Sequence, residues 1–260
     1  MLKTLLSLLG VYKLYEKWLW HQIKDGVKPE HIAIILDGNR RWASERQLNP
    51  WIGHRYGAEK VKDLLNWCLD LDVKSVTLYA FSTENFGRSQ NEIDEIMLIA
   101  EEKLHEVLED ERIHKHRVRV KAIGRLELLS KSLQKLIWEV EQATKRYDQH
   151  FLNVALAYGG RAEIVDAARK IAREVEAGEL KPNAIDELAF EKYLYTAYLP
   201  KQDPDLIIRT SGEERLSGFL LWQSAYSELC FLDVYWPEFR RIDLLRAIRT
   251  YQQRKRRFGK

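Results

Sequence analysis

The chain has 260 residues, of which 45% are hydrophobic and 31% are charged. This composition is ordinary for a globular protein, and the length provides for one large α/β domain or two small ones. The formal net charge of +3 is close to balanced, so the overall charge does not indicate a nucleic-acid partner. The two cysteines, Cys68 and Cys230, stand in apolar surroundings, which favours buried, reduced thiols in a cytoplasmic protein.

Residues 1–28 predict an amphipathic N-terminal helix. The lysines of this segment share one sector of the helix, and most of its leucines and tryptophans lie elsewhere. The apolar run is too short and too charged for a spanning helix, and no small-residue cleavage site marks a signal peptide. Two interpretations stay open: the helix lies on the inner face of a membrane, or it packs against the domain or a partner.

From residue 29 to residue 260, short apolar runs alternate with helical patterns, and no linker or repeat interrupts them. The predicted strands are His31–Leu36, Ser75–Phe81, Val118–Ile123, Leu152–Ala157, Leu206–Arg209 and Leu229–Val234. The predicted helices are Gly57–Leu71, Asn91–Ile113, Ser130–Tyr147, Ala162–Glu176, Ile185–Tyr195, Leu216–Ala225 and Arg240–Arg256. This alternation predicts a single α/β domain with a central, mostly parallel six-stranded sheet flanked by helices.

Polar, glycine-containing segments follow four of the predicted strands. They read DGNRRW from Asp37, FSTENFGR from Phe81, YGGR from Tyr158 and RTSGEER from Arg209. Ligands of open α/β sheets bind beyond the carboxyl ends of the strands, so we expect these segments to meet at one edge. Arginine forks and loop N–H groups suit phosphate oxygens, and a carboxylate among them suits Mg²⁺ held against a diphosphate. The sequence therefore predicts a site for a phosphorylated small molecule.

Several other motifs for phosphate and acyl-transfer chemistry are absent from the sequence. No G-x-x-x-x-G-K-[ST] occurs, which excludes a P-loop NTPase, and no G-x-G-x-x-G follows the first strand, which argues against a dinucleotide dehydrogenase. Neither G-x-S-x-G nor the D-D-x-x-D of trans-type prenyl synthases occurs. The polar segments after the strands also have a purely structural interpretation. Asp-Gly-Asn is a common turn, and Trp42, Phe86 and Trp222 are residue types typical of a core.

Taken together, the segments resemble the cis-prenyltransferases, the undecaprenyl and dehydrodolichyl diphosphate synthase family. The resemblance runs from His31 to Gly259 through DGNRRWA, the GH of Gly53 and His54, LYAFSTENFGR, NVALAYGGRAEI, DLIIRTSGEERLSGFLLWQSAYSEL and RRFG. It implies an enzyme that adds isopentenyl diphosphate repeatedly to an allylic diphosphate, with Mg²⁺ as cofactor. Each new double bond would be in the Z configuration, and the product would be the precursor of a long polyprenyl lipid carrier.

The resemblance also implies roles for individual residues. Asp37 would bind Mg²⁺ and assist departure of the allylic diphosphate, and Glu228 would be the second metal carboxylate. Asn85 matches the proton acceptor, for which a diphosphate oxygen is a rival. The substrate-binding residues that it implies are Gly38, Asn39, Arg40, Arg41, Trp42, His54, Ser82, Thr83, Glu84, Phe86, Arg88, Arg209, Arg215, Leu216, Ser217 and Gly259.

A long hydrocarbon product requires an apolar tunnel, and the resemblance places one in the domain. The segments Ile93–Leu108 and Phe151–Ala157 are candidates for its walls, although most of their side chains have an ordinary core interpretation. The C-terminal Arg257-Phe258-Gly259 resembles a tail that reaches the partner's active site, which implies a homodimer. The N-terminal extension and NVALAYGGRAEI are closer to archaeal members, which favours geranylgeranyl diphosphate as the starter.

One position departs from the family pattern. Pro50 stands where many members carry an arginine, so one contact with the allylic phosphate is in doubt. Arg46 and Arg55 are the candidates to replace it.

Two other classes of function stay open. The chain could be a non-catalytic partner subunit of a heteromeric cis-prenyltransferase, but such subunits lose the aspartate that is present here as Asp37. The basic C-terminal helix suggests nucleic-acid binding, but a solvated face joined to the active-site tail is the simpler interpretation. The intact set of site residues favours a self-sufficient enzyme.

Overall fold

A computed structural model describes residues 11–254 of the chain. The strands are β1 (His31–Ile35), β2 (Ser75–Tyr79), β3 (Val118–Ile123), β4 (His150–Ala155), β5 (Leu206–Arg209) and β6 (Glu228–Phe231). The helices are α1 (Val11–Ile23), α2 (Asn39–Ser44), α3 (Pro50–Asp70), α4 (Gln90–Glu109), α5 (Glu111–Lys115), α6 (Lys131–Thr144), α7 (Gly160–Glu176), α8 (Glu187–Glu191) and α9 (Arg241–Gln253). Short 3₁₀ turns occupy Thr83–Gly87, Leu126–Leu128, Pro182–Ala184 and Trp236–Glu238.

The six strands form one sheet in the order β3-β4-β2-β1-β5-β6, and every pairing in it is parallel. This confirms the predicted α/β class and sheet. Successive residues of β1 point to opposite faces, so Ile32 and Ile34 join the core under the helices, while Ala33 and Ile35 join a second, smaller core. Because both faces are covered, β1 is a continuous buried run rather than an alternating one.

Three of the helix predictions are wrong in extent or in kind. Residues 216–225 form turns rather than a helix, because Ser217, Gly218 and Leu220 all have positive φ. The predicted helix from Ile185 is reduced to the five residues of α8. The long helix predicted from Asn91 is divided in two, since the Asp110 side chain accepts a hydrogen bond from the N–H of Arg112 at 2.9 Å and begins α5.

The start of α3 and the short helix α2 were not predicted. α3 begins at Pro50, seven residues before the predicted start, and proline fits the first turn because it has no N–H to leave unpaired. α2 has only six residues, so its hydrophobic pattern is too short to be read from sequence.

The N-terminal helix α1 packs against α9 by one face. Leu19 and Ile23 are fully buried, and Glu16 pairs with Arg241 at 3.2 Å. Leu14, on the opposite face, is 67% exposed, and Trp18, whose ring lies 5.4 Å from the Arg249 guanidinium of α9, is 47% exposed. The packing interpretation therefore describes one face of α1, and residues 1–10 lie outside the described residues. None of the described helices combines the length and apolarity that crossing a membrane requires.

Candidate active site

The turn after β1 builds the centre of the site. The hydroxyl of Thr210 accepts a hydrogen bond from the N–H of Asp37 at 3.1 Å and donates one to its carbonyl at 2.6 Å, which fixes the end of the strand. Gly38 follows with φ 101°, and a Cβ there would lie 2.7 Å from the ring of Tyr235. Only glycine fits, and its N–H donates to the Asp37 carboxylate at 2.7 Å.

Asp37 and Arg209 form an ion pair at the end of β5. The Nη2 of Arg209 lies 2.8 Å from Oδ2 of Asp37, and the arginine side chain is only 6% exposed. Arg41 approaches the other carboxylate oxygen at 3.4 Å. Burial opposes ionisation of Asp37, but the hydrogen bond and charge of Arg209 outweigh it, so the pKa of Asp37 lies below its usual value. Asp37 is therefore a carboxylate at neutral pH.

The segment after β5 places the Ser217 hydroxyl and the Arg215 backbone carbonyl beside this pair. Arg209 donates to Oγ of Ser217 at 2.9 Å and to the carbonyl of Arg215. Glu213 lies between two arginines, 3.1 Å from Arg41 and 2.5 Å from Arg215. Leu216 is partly buried against the smaller core and anchors the segment.

The loop after β2 forms another side of the site. The side-chain carbonyl of Asn85 accepts a hydrogen bond from the N–H of Ser82 at 3.0 Å, and Ser82 caps the following 3₁₀ turn in return. The N–H of Thr83 donates to the carbonyl of Tyr158 at 2.9 Å, which joins the loop to the end of β4. Phe86 packs edge-on against Phe81, with ring centroids 5.0 Å apart, so it has a core role here.

Glu92 is a site residue that the sequence analysis missed. Its Oε1 lies 3.0 Å from Arg88, 3.3 Å from His54 and 3.8 Å from Arg40. Burial lowers the pKa of His54, and the hydrogen bond and charge of Glu92 oppose that shift. The spacing of Arg88 and Glu92, four residues apart at the start of α4, was the available signal.

Glu163 in α7 was also missed. Its carboxylate is buried and accepts hydrogen bonds from the Tyr195 N–H at 2.8 Å, from Gln223 at 3.0 Å and from the Tyr158 hydroxyl. Burial raises the pKa of Glu163, and these donors oppose the shift. The network ties residues 216–226 to α7 and the end of β4, so it supports the loop that carries Ser217.

A polar cavity of about 730 Å³ lies at the carboxyl ends of the strands. The predicted residues that line it are Asp37, Asn39, His54, Ser82, Thr83, Glu84, Asn85, Arg88, Arg209 and Ser217. An apolar cavity of about 210 Å³ adjoins it and shares Leu36, Asn39, His54 and Ala80 with it. Side chains of α4 and β4 line this second cavity, including Ile96, Leu104 and Val154, in agreement with the two wall segments predicted from sequence. A continuous tunnel stays a prediction.

Other predicted residues lie away from this cavity. Glu228 is paired in register with Leu206 at the amino end of β5, whereas Asp37 lies beyond the carboxyl end of β1. Glu228 instead contacts Arg254 at 2.6 Å. Trp42 is buried with its ring 4.8 Å from that of Tyr56. Gly259 falls outside the described residues.

Pro50 stands where many family members have an arginine, and both candidate replacements for that arginine are in exposed ion pairs with other residues. Arg46 donates to the carbonyl of Trp42 at 3.0 Å and pairs with Glu238. Arg55 pairs with Glu102 at 2.9 Å on the outer side of α3. Pro50 itself serves to begin α3.

The carboxylate at the centre of the site, Asp37, is the candidate ligand for a cation. Within residues 11–254, no three His, Cys, Asp or Glu side chains cluster closely enough to hold a metal ion alone. Asp37 nevertheless fits Mg²⁺, which commonly binds one or two carboxylates and completes its shell with substrate phosphates and water.

These features define an α/β enzyme site for a substrate with an anionic head and an apolar tail. The family model described as "Putative undecaprenyl diphosphate synthase" matches residues 35–259, and the chain belongs to this family of prenyltransferases. A solved structure of lavandulyl diphosphate synthase from Lavandula x intermedia, in complex with dimethylallyl diphosphate, is 40% identical with a TM-score of 0.86, covering 90% of this chain and 99% of that one. A "probable undecaprenyl diphosphate synthase" from Campylobacter jejuni is 33% identical with a TM-score of 0.73, covering 90% and 100%.

Curated relatives are closer in sequence. The tritrans,polycis-undecaprenyl-diphosphate synthase (geranylgeranyl-diphosphate specific) of Methanopyrus kandleri is 59% identical over 98% of this chain and 93% of its own length. The protein of the same name from Methanocaldococcus jannaschii is 55% identical over 96% and 90%. The resemblance found from the sequence motifs is thereby confirmed at the level of the family.

Proposed function

We propose that this chain is a homodimeric, Mg²⁺-dependent Z-type polyprenyl diphosphate synthase that condenses isopentenyl diphosphate repeatedly onto geranylgeranyl diphosphate. The observation that carries the proposal is the adjacency of the polar cavity, with its Asp37–Arg209 pair, to the apolar cavity behind it. The two cavities suit the two ends of a prenyl diphosphate. The names of the archaeal relatives support the choice of starter.

The cationic groups around Asp37 suit departure of the allylic diphosphate. Negative charge grows on the diphosphate as its C–O bond ionises, so fixed guanidinium groups stabilise the transition state more than the ground state. Arg209 is buried and held by three oxygen partners, so it needs no reorganisation during the reaction. Bound Mg²⁺ would supply further neutralisation of the diphosphate charge, with Asp37 as its protein ligand. Glu228, at the other end of the sheet, is left out of this metal site.

The second substrate is assigned to the segment after β5. The Arg215 backbone and the Ser217 hydroxyl lie next to Arg209, and the Arg215 guanidinium is exposed beside Glu213. Arg215 and Ser217 would hold the diphosphate of isopentenyl diphosphate with its alkene facing the allylic carbon. Condensation then releases a proton from the new unit. The carbonyl oxygen of Asn85 already accepts a hydrogen bond from Ser82, and an amide is a weak base, so we assign proton acceptance to a diphosphate oxygen and loop positioning to Asn85.

We place the dimer contact on the side of β6 and α8. Leu188 and Tyr226 are about 70% exposed, and Phe190 of α8 stacks on Trp222 with ring centroids 4.5 Å apart. The C-terminal tail with Gly259 would then complete the partner's site. The exposed face of α1, with Leu14 and Trp18, is the proposed peripheral contact with the inner face of the membrane.

Product analysis tests the proposal directly. The full-length protein receives labelled isopentenyl diphosphate and Mg²⁺ with geranyl, farnesyl or geranylgeranyl diphosphate, and chromatography sizes the products. We expect the highest kcat/KM with geranylgeranyl diphosphate and no product in EDTA. Failure to elongate any starter, with phospholipid present, would refute the proposal and favour the non-catalytic partner subunit.

Oligomeric state is a separate test of the dimer contact. Light scattering after size exclusion should give twice the chain mass for the wild type, and Tyr226→Glu should shift it toward the monomer. A wild type that stays monomeric at micromolar concentration would contradict the dimer.

A further inference from the structure

The segment 216–220, which carries Ser217, has an unusual backbone. Ser217 has φ 48°, Gly218 has φ 77° and Leu220 has φ 46°, so left-handed residues dominate the segment. This conformation costs free energy for every residue other than glycine. It persists only where contacts with the rest of the chain hold it, so the segment depends on support from outside itself.

The YGGR segment after β4 supplies part of this support. The N–H of Gly160 donates a hydrogen bond to the carbonyl of Gly218 at 2.8 Å. The hydroxyl of Tyr158 accepts a hydrogen bond from the N–H of Leu220 at 3.2 Å. The polar segment at the end of β4 therefore acts, through these two residues, on the backbone of residues 216–220.

Tyr79, the last residue of β2, holds the same backbone from a second side. Its hydroxyl lies 3.2 Å from the carbonyl oxygen of Ser217 and 3.4 Å from that of Tyr158. Its ring stacks on Phe219, with centroids 4.6 Å apart and 7° between the ring planes. Burial raises the pKa of Tyr79, so the hydroxyl keeps its proton and stays a donor. Tyr79 thus contacts the residues on both sides of Gly218.

The backbone of Tyr79 is fixed by the sheet. The residue is paired in register with Ile35 of β1 and with Ala155 of β4, and it is 8% exposed. The strand pairing therefore limits where its hydroxyl can lie. The turn that carries Asp37 is held by other contacts, made by Thr210. The two sides of the polar cavity consequently have separate supports.

We propose that Tyr79 is a positioning residue for isopentenyl diphosphate, and that its hydroxyl holds Ser217 in the conformation which binds this substrate. The inference rests on the proposed function, which assigns the second substrate to the segment after β5. Arg209 donates to the Ser217 hydroxyl at 2.9 Å, so any shift of residues 216–220 also disturbs that contact. Without the Tyr79 hydroxyl, left-handed Ser217 relaxes toward ordinary backbone angles. Isopentenyl diphosphate then binds more weakly, whereas binding and ionisation of the allylic substrate are unaffected.

Tyr79→Phe tests the inference, because it keeps the ring stack and removes only the hydroxyl. In steady-state assays of the full-length protein with Mg²⁺, we expect the KM for isopentenyl diphosphate to rise about tenfold. We expect kcat and the KM for geranylgeranyl diphosphate to stay within about twofold of the wild type. Tyr198→Phe is the matched control, since the Tyr198 hydroxyl donates to the Asn153 side chain within the sheet. It should change neither KM.

A double substitution separates positioning from a general structural effect. If Tyr79 acts through Ser217, Tyr79→Phe should not raise the KM for isopentenyl diphosphate further in the Ser217→Ala background. Effects of the two substitutions that multiply would overturn the inference. So would an unchanged KM for isopentenyl diphosphate in Tyr79→Phe, or an equal rise in both KM values, and both results would leave the proposed function intact. A wild type that elongates no starter would refute the proposed function and, with it, the inference.

Discussion

The polar cavity and the surface contact between α3 and α4 both contain paired charged side chains, yet they are built in opposite ways. At the polar cavity, Arg209 is buried at the end of a central strand and Gly38 has a backbone conformation that only glycine adopts freely. At the contact between α3 and α4, Lys62 and Lys103 meet Glu59 and Glu106 at the surface. Charges that stabilise a transition state must be fixed in advance, whereas exposed ion pairs between two helices contribute little and separate at little cost. The same residue types behave differently in the two places because their burial and backbone support differ.

The largest expected effect is on the fixed charge itself. Asp37→Asn keeps the size of the side chain but removes the charge, and we expect kcat to fall about 10³-fold or more with an unchanged circular dichroism spectrum. Asp63→Asn is the control, because Asp63 is in an exposed ion pair with Lys60 on α3. Near-normal turnover in Asp37→Asn would contradict the assignment of Asp37.

The sheet that supports the polar cavity contains a histidine whose titration should lower the free energy of unfolding in acid. His31 is fully buried in β1 with its ring 2.8 Å from the Thr77 hydroxyl, and burial lowers its pKa to about 4 from an unfolded value near 6.5. Between these values the unfolded chain binds the proton and the folded one does not. Titration of His31 therefore leaves the free energy of unfolding unaffected above pH 6.5 and lowers it by about 3 kcal/mol in total as the pH falls toward 4.

Urea unfolding between pH 7.5 and 4.5 measures this loss. The comparison is with His31→Gln, which keeps a polar group beside Thr77 and cannot titrate in this range. The two proteins are compared by the slope of their unfolding free energy against pH. The difference between the two slopes is the contribution of His31, because the carboxylates are the same in both. Parallel curves would show that His31 does not carry the effect.

Gly38 tests the backbone support of the polar cavity. Gly38→Ala forces a Cβ against Tyr235 at positive φ, and we expect a loss of about 2 kcal/mol in unfolding free energy together with a loss of activity. Gly87→Ala is the matched control, because a Cβ there meets no atom within 4 Å. Equal stability of the two variants would contradict the requirement for glycine at position 38.

The smallest expected effect concerns Glu92. Glu92→Gln removes the carboxylate shared by Arg88 and His54, so we expect kcat/KM to fall about tenfold and the pKa of His54 to move further down. Titration of the imidazole by NMR gives the second result. Glu95→Gln, on the same helix, should change neither quantity. An unmoved His54 titration in Glu92→Gln would exclude the proposed coupling.

Much of the site was predictable because its residues lie next to strands. The buried runs before Asp37 and Ser82 identified β1 and β2, and a parallel sheet brings the ends of its strands to one edge. Glu92 and Glu163 could not be found this way, since each lies on a helix and meets its partners only after the helix packs. The turns around Ser217 were predicted as a helix because their apolar residues have helical spacing, whereas positive φ angles decide the backbone there.

The sequence by itself determined the α/β class, the parallel sheet, the edge where the ligand groups gather and the family, because these follow from local patterns and ordered motifs. Only the tertiary structure decided which charged side chains are held rigidly and which are in ion pairs at the surface. Arg209 and Lys103 are both cations paired with carboxylates, but one is buried at the end of a central strand and the other joins two helices at the surface. Burial and backbone support arise from packing between distant segments, and no local pattern carries them.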